Sequence, residues 1–145
     1  VAVASNLDKA KNIFQKLDKN HLSLIEEFYD PNIEFQDPVH ALSGVKAMRA
    51  YYAGLYENVS SIRFEFTRTL SEGDTVVLVW KMFLVTKSLN GGKEFSVDGN
   101  SVIQFNPKNG KAIYHRDYFD MGEFIYERVP VLRSIIEYIK NKMKS

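Results

Sequence analysis

Residues 62–119 hold four consecutive segments of two-residue alternation joined by short turns, and no other feature restricts the fold of this chain as much. The first is SIRFEFTRTL, with Ile62, Phe64 and Phe66 on one side and Arg63, Glu65 and Thr67 on the other. Ser71-Glu72-Gly73-Asp74, Asn90-Gly91-Gly92 and the stretch Asn106-Pro107-Lys108-Asn109-Gly110 are the turn chemistry that joins the four segments. Connections this short cannot carry the crossover that parallel neighbours need. The segments are therefore expected to form an antiparallel meander.

The rest of the chain reads as helix. Leu7, Ala10, Ile13, Phe14 and Leu17 make one stripe over residues 6–18, with Asn6 as its cap. A shorter helix is expected from about His21 to Tyr29, stopped by Asp30-Pro31-Asn32, followed by a short strand IEFQDP. Ser43 is placed as the cap of a third helix over 44–56 whose inner face is Val45, Met48, Tyr52 and Leu55. In the tail, Val131, Leu132, Ile135, Ile136, Ile139 and Met143 form a stripe for a helix docked on the domain, the alternatives being a lid, a dimer contact or a membrane-surface helix. Three helices on one face of a strongly curved sheet would bury these stripes and close a cavity on the concave side.

At 145 residues the chain is the size of one domain, residues 1–145, and 45% hydrophobic residues suffice for one core. A formal charge of +1 gives no general attraction to nucleic acid. No cysteine is present, which removes disulfides, thiol nucleophiles and cysteine-bound metals. The opening VAVASNLDKAKN has no export signal and no stretch is apolar enough for a transmembrane helix, so a soluble cytoplasmic protein is expected.

The segment IYHRDYFDMGEF, residues 113–124, places four charged or titratable groups where a core strand is due. Alternation groups Ile113, His115, Asp117 and Phe119 on one face, and Tyr114, Arg116 and Tyr118 on the other. The first face is assigned to the cavity, because a guanidinium is costly to bury unpaired. On the first strand Phe35 and Asp37 share the inner face; on the long strand Lys81 points out, which sends Val76, Trp80 and Met82 inward. An imidazole and two carboxylates in a ring-lined pocket suit general acid–base chemistry. The plainer readings are that Asp37, standing before Pro38, shapes a turn and that Asp117 clasps a loop. His40 is expected in an exposed loop and His21 at the start of a helix. No phosphate loop, metal-ligand spacing or nucleophile elbow is found, so neither metal nor cofactor is expected.

The helical N-terminal third, EFQDPVHALSGVKAMRAYY and GKAIYHRDYFDMGEF together resemble the nuclear transport factor 2-like superfamily, in particular its SnoaL-like branch, across nearly the whole chain. The resemblance implies a cone-shaped α+β fold, helices packed on a strongly curved, mainly antiparallel sheet around a pocket, and a homodimer. Phe35-Gln36-Asp37-Pro38-Val39 is similar to the ketosteroid isomerase segment whose aspartate shuttles the proton, which implies that role for Asp37. The places of that family's oxyanion donors fall near Phe14, which has no donor, and Ser101, a weak one. His115 and Asp117 are closer to the polyketide cyclase branch.

The reading that results is a pocket enzyme for a small, apolar, carbonyl-bearing ligand: Asp37 removes a proton, His115 donates to the oxyanion and Asp117 orients the histidine, with Phe14, Phe35, Tyr52, Trp80, Met82, Ser101 and Phe119 lining the pocket. The alternative is a non-catalytic ligand-binding or protein-interaction module on the same fold.

Overall fold

In the computed structural model the described residues are 5–120, 122 and 130–144. Residues 1–4 of the opening, together with Met121, Glu123 and Phe124 of the 113–124 segment, lie outside them. Helix α1 spans Asn6–Lys16 and α2 Leu24–Phe28; strand β1 is Tyr29–Gln36, β2 Ala41–Ser43, and α3 Val45–Asn58. Four long strands follow, β3 Val59–Glu72, β4 Thr75–Thr86, β5 Phe95–Asn106 and β6 Lys111–Phe119, and helix α4 runs over Pro130–Lys144.

The six strands form one sheet in the order β2-β1-β6-β5-β4-β3. The meander is as the alternation requires, each of β3 to β6 pairing antiparallel with the next. What local pattern does not show is that β1 adds parallel to β6, aligning Phe35 with His115 and Gln36 with Arg116. This pairing carries the N-terminal third onto the far edge of the meander. Register shifts interrupt β3 between Phe66 and Arg68 and β5–β6 at Gln104/Phe105, and such bulges bend a sheet. The α+β curved-sheet architecture expected from the sequence is the one observed.

Strand parity holds through β4, where Val76, Leu78, Trp80, Met82 and Leu84 are all buried and Lys81 is on the outer side. It fails at one inner position of β6. The bulge opposite Phe105 makes Ala112 the fully buried residue and leaves Ile113 only half-buried, while His115 keeps its inward direction.

Several boundaries differ from the sequence reading. Ser5, not Asn6, caps α1, its hydroxyl accepting the Asp8 amide at 3.1 Å. The second helix is only five residues long, and Asp30-Pro31-Asn32 lies within β1. Asp30 there accepts the Asn32 amide at 2.8 Å and the Asn109 side chain at 2.7 Å, tying β1 to the β5–β6 turn. Ser43 ends β2, where its hydroxyl donates to Glu34 at 2.6 Å, and Gly44 caps α3 with φ 90°, a conformation side chains rarely adopt. The stripe of α4 is exposed in place of docked, Val131 at 71% and Met143 at 80%.

Candidate functional site

The helices leave an apolar cavity of about 90 Å³ between α1, α3 and the concave sheet. Eight of its fifteen lining residues are aromatic, Phe14, Tyr52, Phe64, Trp80 and Phe119 among them, and Met82 lines it too. Asp117 is the one charged residue among the described residues of its wall. A second, open cleft of about 730 Å³ adjoins it where β6 runs past the end of β1, and Asp117 and Phe119 belong to both.

The position of Asp117 is set by a chain of hydrogen bonds across three strands. Register pairs Ser101 with both Leu78 and Asp117, so its hydroxyl lies beneath the carboxylate. Trp80 Nε1 donates to Ser101 Oγ at 2.9 Å, and Ser101 donates to Asp117 Oδ1. On the other side His115 Nε2 lies 2.6 Å from the same Oδ1 and Nδ1 lies 2.8 Å from Tyr29 Oη, which is 3.3 Å from Tyr52 Oη.

For a neutral His115 ring these contacts fit one tautomer. A carboxylate oxygen accepts, so Nε2 carries hydrogen; the Tyr29 hydroxyl then donates to Nδ1 and accepts from Tyr52. Burial pushes the Tyr29 and Tyr52 hydroxyls above the ordinary tyrosine range, which keeps both as donors. Asp117 Oδ2 receives no hydrogen bond from any described residue, and the side chain is 19% exposed.

His115 is fully buried, with both ring nitrogens engaged and the Phe35 ring edge-on at 5.1 Å. His115 does not line the cavity, whereas Asp117, to which it is bonded, does. Phe35 and Ser101 likewise stand behind the cavity wall. Asp37 is buried at the β1 end, but on the cleft side. Its Oδ1 accepts the amides of Val39 and His40 at 2.8 and 2.6 Å, and its Oδ2 the Tyr51 hydroxyl at 3.0 Å. His40 Nδ1 sits 3.2 Å from Oδ1 and 3.3 Å from Oδ2. This is the turn-former geometry before proline. His21 is exposed and bonds Asp18 at 2.7 Å.

The structure thus joins His115, Asp117, Ser101 and Trp80 into one network and connects Asp37 to the cavity wall through Tyr51. Missed at the sequence level were Tyr29, assigned to the end of a helix, and Tyr51 and Tyr56, which also line the cavity. Tyr56 donates to the Leu17 carbonyl at 3.2 Å. The adjacent pair Tyr51-Tyr52 on a helix is the one signal that was available, since neighbouring helical residues lie about 100° apart and both can edge a wide pocket.

Burial is the main reason the Tyr51 and Tyr56 hydroxyls also ionise above the usual range. The sign of the linkage follows: a tyrosine harder to ionise folded than unfolded contributes stability below about pH 10, and that contribution is lost above it. Urea midpoints should therefore fall steeply above about pH 10, with tyrosinate absorbance from these rings rising together with unfolding; ionisation of all eight tyrosines in the folded protein would contradict this.

Among the described residues no group of histidines and carboxylates is arranged to hold a metal ion, and no helix is long and apolar enough to cross a membrane.

Several solved structures share this fold at low identity. A nuclear transport factor 2-like protein of unknown function from Burkholderia pseudomallei superposes with TM-score 0.75 at 15% identity, covering 88% of this chain and 99% of that one. A candidate SnoaL-like polyketide cyclase from Shewanella putrefaciens gives 0.74 at 13% identity, with 90% and 99% covered. TerC, crystallised with polyporic acid, gives 0.69 at 17% identity, with 82% and 94% covered. No functionally curated protein matches the chain. The profile of the SnoaL-like domain matches residues 10–115, well over half of the sequence, and the chain belongs to that family.

Proposed function

We propose that the protein is an acid–base enzyme of the isomerase or cyclase kind, acting without a cofactor on a small, largely apolar, carbonyl-bearing ligand, with Asp117 as the proton acceptor. One observation carries this reading: Asp117 is the single carboxylate among the described residues of the ring-lined cavity, held through Oδ1 by Ser101 and His115 while Oδ2 has no hydrogen bond from a described residue. A fixed acceptor beside an apolar binding surface is what proton abstraction next to a carbonyl needs.

The roles of the pair are the reverse of those the sequence suggested. His115 orients Asp117 and, through its link to Tyr29, stabilises the charge change. The C–H proton passes to Oδ2, the electron pair moves into the carbonyl, and the enolate returns to ketone when Asp117 gives a proton back to the α-carbon or, where a C=C adjoins that carbon, to the far end of the resulting dienolate. The carbonyl oxygen faces the cleft, lined by Asn100 and Arg116, because the donors around the cavity are already committed to protein acceptors. Asp37 holds the turn and the Tyr51 hydroxyl. That a relative of the same fold was crystallised with the organic ligand polyporic acid is consistent with a ligand pocket.

The test is exchange of α-protons for deuterium in small ketones and diketones, followed by NMR. The wild type should accelerate it, and Asp37→Asn should retain the rate within a few-fold. Loss of exchange in Asp37→Asn together with its retention in Asp117→Asn would return the base role to Asp37. Binding of these compounds without any exchange would leave a binding module.

We also propose a homodimer through the outer face of the sheet. Val77, Val79, Phe83 and Val85 stand there, each half-buried in the single chain. Light scattering should give twice the chain mass at micromolar concentration; a monomer would remove the dimer without affecting the site.

A further inference from the structure

We propose that the ring-lined cavity is a receptor for a compact alkylammonium group, so that the substrate is a carbonyl compound whose buried end is a trialkylated ammonium. The reaction assigned to such a substrate rests on the function proposed above; its binding rests on the cavity alone.

The wall is made of rings and one acid. Tyr52, Tyr56, Phe14, Phe64, Trp80 and Phe119 surround the space, and Asp117 is the charged residue that borders it, with no lysine or arginine among the described residues of the wall. Aromatic faces attract an organic cation, by up to about 2 kcal/mol where the site is desolvated. A carboxylate at such a site adds a counter-charge that a neutral ligand cannot use.

The hydrogen-bond inventory points the same way. The hydroxyl of Tyr51 donates to Asp37, that of Tyr56 to the Leu17 carbonyl and that of Tyr29 to His115, while Trp80 donates to Ser101. With Tyr29 donating to a neutral His115, the Tyr52 hydroxyl is left to donate to Tyr29. Among the described residues the cavity therefore presents acceptors and π-faces but no spare side-chain donor. A polar neutral group needing a donor would be left unsatisfied there, whereas a trialkylammonium needs none.

Size agrees. Benzene fills a dry cavity of about 150 Å³, so a space of about 90 Å³ takes about four non-hydrogen atoms, the nitrogen and three methyls of a trimethylammonium head. The rest of the molecule extends past Asp117 and Phe119 into the cleft. An ammonium near the reacting carbon also acidifies its proton, which eases the step assigned to Asp117.

Trp80 is the sole tryptophan and lies on the cavity wall, so its emission reports occupancy directly. Wild-type protein is titrated at constant ionic strength with choline and, separately, with 3,3-dimethylbutan-1-ol, which has the same shape without the charge. Choline should bind at least about tenfold more tightly, the size of one cation–π and counter-ion contribution. Asp117→Asn, checked for an unchanged melting temperature, should bring the two within a few-fold. Equal or tighter binding of the alcohol, or no response to choline up to about 10 mM, a limit that corresponds to less than about 3 kcal/mol, overturns the proposal. Since nothing is turned over, this result is independent of deuterium exchange: choline binding without exchange removes the reaction and keeps the receptor, and exchange without choline preference does the opposite.

Discussion

Asp117→Asn is expected to lower α-proton exchange by about 10²- to 10⁴-fold, the range that a positioned general base supplies, with little change in stability. The amide keeps the oxygen that accepts from Ser101 and His115, so the network around it persists. What changes is the other position, where a free acceptor becomes an NH₂ donor with no basic lone pair. Loss of activity is then chemical and not structural. Exchange and thermal unfolding measured on one preparation separate the two: exchange in Asp117→Asn within a few-fold of wild type removes Asp117 as the base.

Gly99→Ala is expected to destabilise the fold by about 3 kcal/mol, the upper part of the usual overpacking range, and to lower the melting temperature by about 10 °C. Gly99 faces Trp80 across β4–β5 and Phe119 across β5–β6. A Cβ there would lie 2.5 Å from Trp80 Cη2 and 2.6 Å from the Tyr118 carbonyl oxygen. The carbonyl is sheet backbone and cannot yield, so the indole must. Moving it breaks the Trp80–Ser101 bond that supports Asp117, so exchange should fall together with stability. The readouts are calorimetry and the Trp80 emission maximum, which should shift as the indole leaves its buried contact. A melting temperature within about 2 °C of wild type, corresponding to well under about 1 kcal/mol, would show that the sheet accommodates the methyl.

The sheet was legible because side-chain alternation is a local property: Ile62, Phe64 and Phe66, then Val76, Trp80 and Met82, declare the inner face without reference to anything distant. The same alternation pointed His115 and Asp117 inward, as found. It did not place Ile113, since a bulge is an extra residue that only the partner strand reveals. Nor did it show that Tyr29 opens a strand. A tyrosine at the end of an apolar helical run is ambiguous until β6 pairs beside it.

Asp37 marks the limit more sharply. Its inward parity and its place before Pro38 were both readable, and the resemblance to a catalytic segment was real at the level of letters. Whether a carboxylate is committed to its own turn or left free depends on where the amides of Val39 and His40 and the hydroxyl of Tyr51 come to lie.

The amino-acid sequence alone determined the helices and longer strands in their order, though not the three-residue β2, together with the antiparallel meander and which residues of β4 form the core, because helix and strand periods are written into near neighbours. Tertiary structure decided the parallel pairing of β1 with β6, the hydrogen-bonded chain that joins Trp80, Ser101, Asp117 and His115, and the commitment of both Asp37 oxygens to its own turn and to Tyr51. Those outcomes depend on hydrogen bonds between residues such as Tyr29 and His115, 86 positions apart, and the closing of such contacts is a property of the packed chain and not of any window of it.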